Sequence, residues 1–423
     1  MERIVIDAGP ARFVVQRAAL VNEIETAIAA QPYRFSVSTD SVSVAVRSEP
    51  VSAYIGASVA MIDAVDFVSW RGTVTGYEFN VADGVTTYKC DTIAPSDGDT
   101  FPPVIDTTFY PHTTTADTDA PYLAVFGECN APALWLDTWI GQYKLCASCV
   151  ATGAASVDVT DTAAATSVTV PIATERDNNG RLIEYADLSA MAGADPSVTY
   201  TLSGFNTRFT LHDLLTRVAT STRGIDVNIV SVMAIRQYTG GILLGFYVDD
   251  RVDWISWIKT HIIPIFPLAC TQGPRGIVFQ WIQPTERNSV AVSFDLWDLQ
   301  SYTDDPTDIG PITVEYNYSP AGGTWSKYTD TGPTPTAPPL TIQARAVSIE
   351  GVAAIVAYHA RAHKTRSRVA HYKTASKYVG TLRPGDCVRV TDSRLPWRVA
   401  LGYVAEMNYT RNDCTVSVHF TNY

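Results

Sequence analysis

Apolar and polar residues alternate one by one along much of this chain, and a period of two is typical of strands that bury one face. Apolar residues stand at every second position over 35–37 and again over 42–46, with the turn-forming Thr39-Asp40-Ser41 between them. This pattern predicts a hairpin. Thr, Val and Tyr recur in these segments, and such residues suit half-buried pleated surfaces.

Three further hairpins are predicted in the same way. The tripeptides Ala82-Asp83-Gly84, Asn178-Asn179-Gly180 and Arg411-Asn412-Asp413 supply turn residues between alternating segments. The predicted pairs join residues 73–81 to 86–90, 168–172 to 182–185, and 399–409 to 414–420. Single strands are expected over 290–294 and 314–318.

Four segments follow the helical period instead. Residues 18–29 carry Leu20, Val21, Ile24 and Ile28 on one face and end before Pro32. The other three predicted helices are one capped by Thr210 with Leu211, Leu214, Leu215 and Val218 on its apolar face, one opened by Asp249-Asp250 and continuing to Ile262, and one from Glu350 to Arg366.

The expected fold is therefore mainly β, with several domains built as β-barrel-like modules and a few short helices. Residues 99–121 and 328–339 are rich in Thr, Asp, Pro and Gly and are expected to be linkers. The predicted domains are a β-barrel-like module over 1–117, an inserted β domain over 118–207, a mixed α/β connecting domain over 208–340, and a β-barrel-like module with a basic helix over 341–423.

The low share of charged residues and the distribution of apolar residues exclude several classes of protein. Charged residues make up 17% of the chain, against roughly 25% in ordinary globular proteins. Disorder of the whole chain is excluded because it requires low hydrophobicity with high charge. No uninterrupted apolar run reaches the length of about 18 residues that spans a bilayer, and residues 1–7 do not read as a signal peptide.

The charge is also unevenly distributed. The net charge is −12, yet residues 343–423 carry +7 and the remainder −19. A net-acidic chain is a poor candidate for wrapping nucleic acid. The basic residues Arg361, Lys364, Arg366 and Arg368 have no acid among them, and none follows before Lys377. This segment is interpreted as a nucleic-acid site, a solvated face, or a protein interface that matches the acidic bulk, and the last two are favoured.

Metal and cofactor sites are weakly indicated. Cys129, Cys146 and Cys149 follow the spacing C-x16-C-x2-C, and Cys90 or His112 is a candidate fourth ligand. The second C-x-x-C pair of a closed site is missing, so three packed thiols are the favoured interpretation. His359 and His363, spaced i and i+4, are candidates to share a metal, but an exposed basic face is favoured there. We expect no cofactor and no required metal.

Asp177-Asn178-Asn179-Gly180 resembles the start of a calcium loop, but position 186, where the bidentate carboxylate would stand, is Ala186. A hairpin turn is favoured.

Catalytic motifs are absent from the sequence. There is no phosphate-binding Gly-rich loop, no Gly-x-Ser-x-Gly and no His-Glu-x-x-His. Adjacent carboxylates such as Asp249-Asp250 and Asp304-Asp305 leave a β-rich carbohydrate-active hydrolase as an alternative. The nine Trp residues leave a carbohydrate-binding module on a virion or cell surface as another. We expect the chain not to be an enzyme.

The C-terminal segment carries a family resemblance. A helix rich in Ala and Arg, residues 357–366, is followed by Leu382-Arg383-Pro384-Gly385-Asp386-Cys387-Val388-Arg389-Val390-Thr391-Asp392 and by two closing strands over 398–407 and 414–420. This order resembles the end of the tail-tip (baseplate) hub proteins of long-tailed bacteriophages. Looser matches lie upstream, at 67–74 with 87–91, 124–128 with 143–146, and 249–262 with 276–279.

The resemblance implies a structural virion protein. In the family that the chain resembles, three hub chains with two similar barrels each form a ring of six barrels. The first and last domains are therefore expected to be hub barrels, and the ring is expected to match the six-fold tube. The implied partners are further copies of the chain, distal tube ring proteins, the tape-measure protein, other tail-tip proteins, DNA in transit and a host surface receptor. The implied location is the tail tip of the virion, after assembly in the host cytoplasm. Arg361, Lys364, Arg366 and Arg368 are the expected interface residues.

Overall fold

The architecture is that of a computed structural model. Its first sheet is built from the N-terminal strands of the chain. The structure describes residues 3–8, 11–15, 19–20, 24–31, 34–37, 41–46, 55, 57–62, 68–82, 85–92, 101–113, 120–139, 142–189, 194–221, 227–273, 276–295, 297–306, 309–332, 336–364, 366–375, 382, 384–397, 399–409 and 413–420. The first strands are β1 (Arg3–Ala8), β2 (Ala11–Val15), β3 (Ala19–Leu20), β4 (Ile24–Gln31), β5 (Arg34–Val37), β6 (Ser41–Val46), β7 (Ser58–Ile62), β8 (Val68–Asn80) and β9 (Val85–Thr92). Seven of them form an antiparallel sheet, the N-terminal sheet, in the order β2-β1-β7-β8-β9-β6-β3. The predicted hairpin between 73–81 and 86–90 is confirmed as β8–β9.

Two predictions for residues 18–46 are wrong. The predicted helix over 18–29 is replaced by strands β3 and β4. Ile24, Thr26 and Ile28 also alternate with a period of two, so the segment fits both periods, and pairing with a distant strand decides between them. The predicted 35–46 hairpin does not form either, because β5 pairs with β4 and β6 pairs with β9.

The second sheet, which we call the inserted sheet, is built from consecutive strands. It follows β10 (Ala124–Phe126) and contains β11 (Ala131–Pro132), β12 (Leu134–Trp139), β13 (Gln142–Ser148), β14 (Ser156–Asp161), β15 (Thr166–Arg176), β16 (Leu182–Asp187) and β17 (Tyr200–Ser203). Its order is β11-β17-β14-β15-β16-β13-β12. The predicted β15–β16 hairpin is confirmed, with Gly180 at φ +72° in its turn. Leu136, Leu145 and Leu202 lie in its own buried core.

A layer of short helices follows. It comprises β18 (Phe209–Thr210), α1 (Leu211–Ser221), α2 (Ile229–Ala234), α3 (Arg236–Thr239), β19 (Leu243–Leu244), β20 (Phe246–Val248), α4 (Trp254–His261), β21 (Leu268–Gly273) and β22 (Gly276–Trp281). The predicted α1 is confirmed, and the side chains of Thr210 and Asp213 cap its first turn reciprocally. The third predicted helix begins later than expected, because Asp253, rather than Asp249-Asp250, accepts the capping bond from Ser256.

The sequence missed α2 and α3, which are too short to show a clear period. The described part of the first predicted linker packs on this layer, since Phe101 stacks on Trp254 with ring centroids 5.0 Å apart.

The last part of the chain forms a three-stranded sheet, one helix and a larger sheet. The elements are β23 (Val290–Ser293), β24 (Asp298–Pro306), β25 (Ile312–Ser319), β26 (Thr324–Asp330), β27 (Leu340–Gln343), α5 (Glu350–Lys364), β28 (Arg366–Ala375), β29 (Cys387–Thr391), β30 (Val399–Tyr409) and β31 (Asp413–Phe420). The second predicted linker begins inside β26. The fourth predicted helix is confirmed as α5, except that Arg366 already belongs to β28.

The larger sheet, which we call the C-terminal sheet, collects strands from distant parts of the chain. Its order is β23-β29-β30-β31-β28-β24, and β4 with β5 extends it beside β30. The predicted pairing of 399–409 with 414–420 is confirmed as β30–β31. Thr26 of β4 lies opposite Met407 of β30, so the first and last parts of the chain share one sheet.

The two faces of the C-terminal sheet differ. One face, with Val388, Val404 and Val418, forms a core of its own. On the other face, Tyr403 belongs to the core that also contains the buried side of α5. The helix packs against β25, β26 and β28. No described helix is long and apolar enough to cross a bilayer. The expected fold class, mainly β with a few short helices, is confirmed, and the structure contains a sheet that curls into a half-barrel. The domain boundaries stay predictions.

Candidate functional site

The C-terminal helix α5 is seated on the protein by apolar side chains and one histidine. Val352, Ala353, Val356, Ala357 and Ala360 are buried against the three-stranded sheet and the C-terminal sheet. His359 is only 6% exposed, and its ring meets Trp281 edge to face at 5.6 Å. The expected exposed basic face is therefore wrong at His359.

Arg361 fixes the C-terminal end of this helix. Its Nε donates to Asp330 Oδ2 at 2.7 Å, and its other nitrogens donate to the carbonyl oxygens of Ile309 and Gly310 at 3.3 Å. The side chain is 17% exposed. A guanidinium with several fixed acceptors is positioned far more firmly than a surface ion pair, so Arg361 ties α5 to the end of β26.

Two glycines make room for this arrangement. Gly332 has φ +62°, and a Cβ at that position would collide with the guanidinium of Arg361. A Cβ on Gly310 would collide with the carbonyl oxygen of Ala337. The backbone carbonyls that receive Arg361 can approach it only because these positions lack side chains.

Arg368 on β28 is held by an ion pair and an aromatic ring rather than by a set of hydrogen bonds. Its Nε lies 3.5 Å from Asp304 Oδ1, its guanidinium carbon lies 5.0 Å from the ring centroid of Trp397, and the side chain is 18% exposed. Lys364 ends α5 and Arg366 begins β28, but their side chains lie outside the described residues. Arg361 and Arg368 thus face carboxylates of their own chain, and their interface role stays a prediction.

The Pro-Gly-Asp segment that carried the resemblance forms a tight turn into β29. Gly385 has φ +91° and its N–H donates to the carbonyl oxygen of Val404 at 2.7 Å. Gln280 donates from Nε2 to Asp386 Oδ1 at 3.1 Å. Because Gln280 lies on β22, this turn joins the helical layer to the C-terminal sheet.

The same segment ends in an ion pair between a buried carboxylate and a partly exposed arginine. Asp392 is fully buried and accepts from Nε and Nη2 of Arg394 at 2.8 and 2.9 Å. Arg394 also donates to the carbonyl oxygens of Trp297 and Phe294, both at 2.8 Å. Burial favours the neutral acid, but the hydrogen bonds from Arg394 keep the pKa of Asp392 below its usual value. We call this group the Asp392 clamp.

Histidines meet where α5 covers the C-terminal sheet. His419 lies opposite Tyr403 on the neighbouring strand, and opposed residues point to the same face of a sheet. That face is the one under α5, which contributes His359 and His363. Burial lowers the pKa of His359 to about 4 and that of His419 to about 4, and burial with the neighbouring His359 and His419 lowers the pKa of His363 to about 3. We call these three residues the histidine layer.

The cysteines with metal-ligand spacing lie on or beside the inserted sheet. Cys129 and Cys146 are buried and Cys149 is half-buried. Burial raises the pKa of Cys146 to about 12 and raises the pKa values of Cys129 and Cys149 as well, which disfavours thiolate ligands. The candidate fourth ligand Cys90 is buried on β9, and the ring of His112 packs at a tilt against Trp139, with ring centroids 4.5 Å apart. Within the described residues, no three His, Cys, Asp or Glu side chains are grouped to hold a metal.

One carboxylate of each acidic pair considered for glycoside chemistry lies opposite an arginine. Asp249 Oδ1 is 3.7 Å from Arg345 Nη2, and Asp304 is paired with Arg368. Burial raises the pKa of Asp249, against the effect of Arg345. Asp177, proposed for a calcium loop, instead accepts backbone N–H bonds from Asn179 and Arg181 within the hairpin turn.

Most Trp side chains that the structure describes contribute to cores. Trp135, Trp254, Trp257, Trp281 and Trp297 are buried. Trp139, beside His112, is exposed.

Sequence reasoning missed the acceptors that position the basic residues. Asp330 lies in the segment predicted to be a linker, and Asp304 belongs to the adjacent pair Asp304-Asp305. A residue that accepts a hydrogen bond from a distant side chain leaves no periodic pattern in the sequence, so nothing in the sequence marks Asp330. The spacing Asp392-x-Arg394 is visible in the sequence, but it is common in turns. The exposed apolar side chains Ile355 and Tyr358 on α5 were also missed.

The solved structures to which the chain is similar include virion proteins. A chain from the virion of a native gene transfer agent (GTA) particle is 10% identical with a TM-score of 0.50, over 73% of this chain and 86% of that one. The tail protein from Neisseria meningitidis MC58 is 10% identical with a TM-score of 0.48, over 99% and 96%. The 43 kDa tail protein of prophage MuSo2 from Shewanella oneidensis is 10% identical with a TM-score of 0.45, over 98% of each chain. No family model and no curated protein matches the chain.

At these identities the likeness concerns the fold. The resemblance to tail-tip proteins inferred from sequence motifs is confirmed at that level.

Proposed function

We propose that the chain is a structural virion protein that forms a homotrimeric hub at the distal end of a phage-like tail. The observation that carries this proposal is the fold shared with a chain of the gene transfer agent virion over 73% of the sequence. A fold alone does not specify an activity, so the proposal also rests on how the chain is assembled.

The arrangement of sheets supports a ring-forming role. Each chain has an N-terminal sheet of seven strands and a C-terminal sheet of eight. The strands β4 and β5 come between strands of the N-terminal sheet along the chain but belong to the C-terminal sheet, where β4 pairs with β30. Three such chains would present six sheets around an axis, which suits a six-fold tube. Closed symmetric rings of this kind are the usual result of repeating one interface.

The proposed ring would have the tube and the tail-tip proteins as neighbours. In this proposal it nucleates tail assembly on the tape-measure protein, and its channel later passes DNA. The excess of acidic residues outside 343–423, a net −19, suits a channel that phosphates cross without binding.

Mass photometry of the purified full chain, followed by electron microscopy of complete tail particles, tests the proposal. We expect a trimer in solution and three-fold density for this chain at the distal end of the tail. A chain that stays monomeric at high concentration and is absent from the tail tip would overturn it. Release of soluble sugar from cell-wall glycan by the purified chain would favour the hydrolase alternative.

A further inference from the structure

The turn between β15 and β16 contains a chemically labile pair of residues. Asn179-Gly180 is the one Asn-Gly pair in the sequence. Asn is a thermally labile residue, and because Gly has no Cβ, its backbone nitrogen can approach the preceding side chain with little steric hindrance. Both residues are exposed, and a Cβ built on Gly180 would meet no atom within 4 Å. The space around this peptide bond is therefore open to solvent.

The structure holds this pair in a closed turn. The N–H of Gly180 donates to the carbonyl oxygen of Asp177 at 2.9 Å, and Gly180 has φ +72°. The carboxylate of Asp177 accepts from the N–H groups of Asn179 and Arg181 at 2.9 and 2.8 Å. The nitrogen of Gly180 is thus engaged while the turn is closed and becomes available when the turn opens. Opening of an exposed turn costs far less free energy than global unfolding.

The side chain of Asn179 also holds a neighbouring segment in place. Its Nδ2 donates to Asp106 Oδ2 at 3.3 Å, and Asn178 donates to the hydroxyl of Thr108 at 2.9 Å. These bonds fix the segment 101–113, part of a predicted linker, on the tip of the hairpin. A hydrogen bond from the Thr108 side chain lowers the pKa of Asp106, which is therefore ionised at neutral pH. The amide of Asn179 is a neutral donor beside this negative charge.

We propose that Asn179 is a spontaneous modification site, at which loss of the side-chain amide creates a negative charge that loosens the segment 101–113 from the hairpin. The inference does not depend on the proposed function. The closed turn around Gly180 sets the rate of the reaction, and the contact with Asp106 sets its consequence.

The reaction needs only water. The backbone nitrogen of Gly180 loses its proton and attacks Cγ of Asn179, and the bond from Cγ to Nδ2 breaks so that ammonia leaves. The product is a cyclic succinimide that contains both carbonyl carbons of the former Asn179. Water then opens the ring at either carbonyl carbon, which yields aspartate or isoaspartate. The net change is the exchange of ammonia for water, and nothing is oxidised or reduced.

The product carboxylate has the wrong chemistry for its surroundings. It cannot donate to Asp106, and two like charges then face each other where a hydrogen bond stood. Isoaspartate in addition inserts a carbon into the backbone of the turn, which disturbs the bonds that Asp177 accepts there. Both products therefore weaken the contact between the hairpin and the segment 101–113.

The first experiment follows the reaction by mass spectrometry of peptides from the full chain, after incubation in mildly alkaline buffer. We expect Asn179 to convert at least about 10-fold faster than Asn288, because opening a surface turn costs less free energy than opening a packed loop. Asn288 is the internal reference, since its amide donates to the carbonyl oxygen of Gln283 and the hydroxyl of Tyr238. Equal conversion at the two sites would overturn the inference.

Gly180→Ala tests whether this backbone nitrogen is the nucleophile. A side chain on residue 180 hinders the attack and should slow conversion of Asn179 at least about 10-fold. Strain in the turn would open it more often, so a folding defect would raise the rate rather than lower it. Gly153→Ala is the matched control, because Gly153 has φ +75° and open space around its Cβ, and it should convert as the wild type. An undiminished rate in Gly180→Ala would overturn the proposal.

The second experiment measures the consequence in Asn179→Asp, which carries the product charge on an unchanged backbone. The N–H groups of Phe109 and Tyr110 donate to the carbonyl oxygen of Asp106. Their hydrogen exchange should become about 2- to 5-fold faster, in line with the small energies of charge pairs near the surface. Asn179→Ser removes the donor without adding charge and should give a smaller increase, and salt should narrow the difference between the two variants. Exchange at the wild-type rate in Asn179→Asp would show that the modification leaves the segment in place and would overturn that half of the proposal.

Discussion

The inserted sheet takes its strands from one continuous part of the chain, whereas the C-terminal sheet takes them from distant parts. The inserted sheet takes all its strands from residues 131–203, and hairpins join many of the neighbours. The C-terminal sheet combines β4 and β5 with strands that begin at residue 290 and end at 420. Local pairing closes short loops, whereas distant pairing must first offset a larger loss of chain entropy.

The buried polar groups show the same contrast. In the inserted domain, Glu184 accepts from the N–H and hydroxyl of Thr152, 32 positions away. In the C-terminal sheet, Arg394 donates to carbonyls 97 and 100 positions away. The inserted sheet should therefore behave as a self-contained unit, while a change in the C-terminal sheet should be felt in several parts of the chain.

The largest effect is expected from Asp392→Ala. Removing this carboxylate leaves Arg394 without its counter-charge at a site where Asp392 itself is fully buried. Breaking one side of a buried pair costs about 3–5 kcal/mol, and the partly exposed Arg394 places the expected loss near the lower end. Chemical denaturation would measure it. Ser393→Ala, which removes only a hydroxyl bond to Asp295, is the control, and equal losses from both variants would show that the clamp contributes nothing.

Core truncations separate the two sheets directly. Met407→Ala and Leu136→Ala each empty a fully buried position, and each should lower the free energy of unfolding by about 2–5 kcal/mol. Hydrogen exchange should then accelerate within the inserted sheet for Leu136→Ala. For Met407→Ala it should accelerate in β4 and β30 together, because the two strands pair at this residue. If the rate of hydrogen exchange in β4 were the same in Met407→Ala as in the wild type, the pairing of β4 with β30 would be contradicted.

Acid should weaken the C-terminal region first. A histidine whose pKa is near 4 when folded and 6.5 when unfolded stabilises the fold fully above about pH 6.5 and loses that contribution as the pH falls toward 4. For His359 the loss at pH 5 is about 2 kcal/mol. Hydrogen exchange at pH 7 and pH 5 should show α5 loosening before the inserted sheet. His359→Gln should reduce the difference, and an unchanged profile in that variant would argue against the histidine layer.

The smallest effect is expected inside the inserted domain. Thr152→Val removes the hydroxyl that donates to Glu184 at 2.6 Å but keeps the backbone N–H bond. A hydrogen bond to a charged group contributes about 1.5–3 kcal/mol, and the remaining N–H bond limits the loss to about 1.5 kcal/mol. Thermal unfolding would measure it, and exchange in the C-terminal sheet should stay unchanged. Thr160→Val, at an exposed hydroxyl pair, is the control.

The sequence predicted local structure well where neighbouring residues determine it. The β8–β9 and β15–β16 hairpins follow from alternation and turn residues, and α1 from its cap and apolar face. The helix predicted over 18–29 is wrong because the segment 24–28 fits both periods, and β4 is a strand that pairs with β5 on one side and with the distant β30 on the other. The hairpin predicted over 35–46 is wrong because β5 pairs with β4 instead of β6.

The candidate site was predictable only in part. The basic residues and the Pro-Gly-Asp strand were visible as composition and motif. Their partners were not, because Asp330, Ile309 and Gly310 reach Arg361 from loops and strand ends that carry no periodic signal.

The pairing of β4 with β30 has a consequence for synthesis on the ribosome. Thr26 leaves the ribosome about 380 residues before its partner Met407, which at roughly 5–20 residues per second is a delay of about 20–75 s. During that time β4 has no β30 to pair with. A chain whose translation stops early never completes this sheet, so if the ring requires it, incomplete products are excluded from assembly without any separate proofreading step.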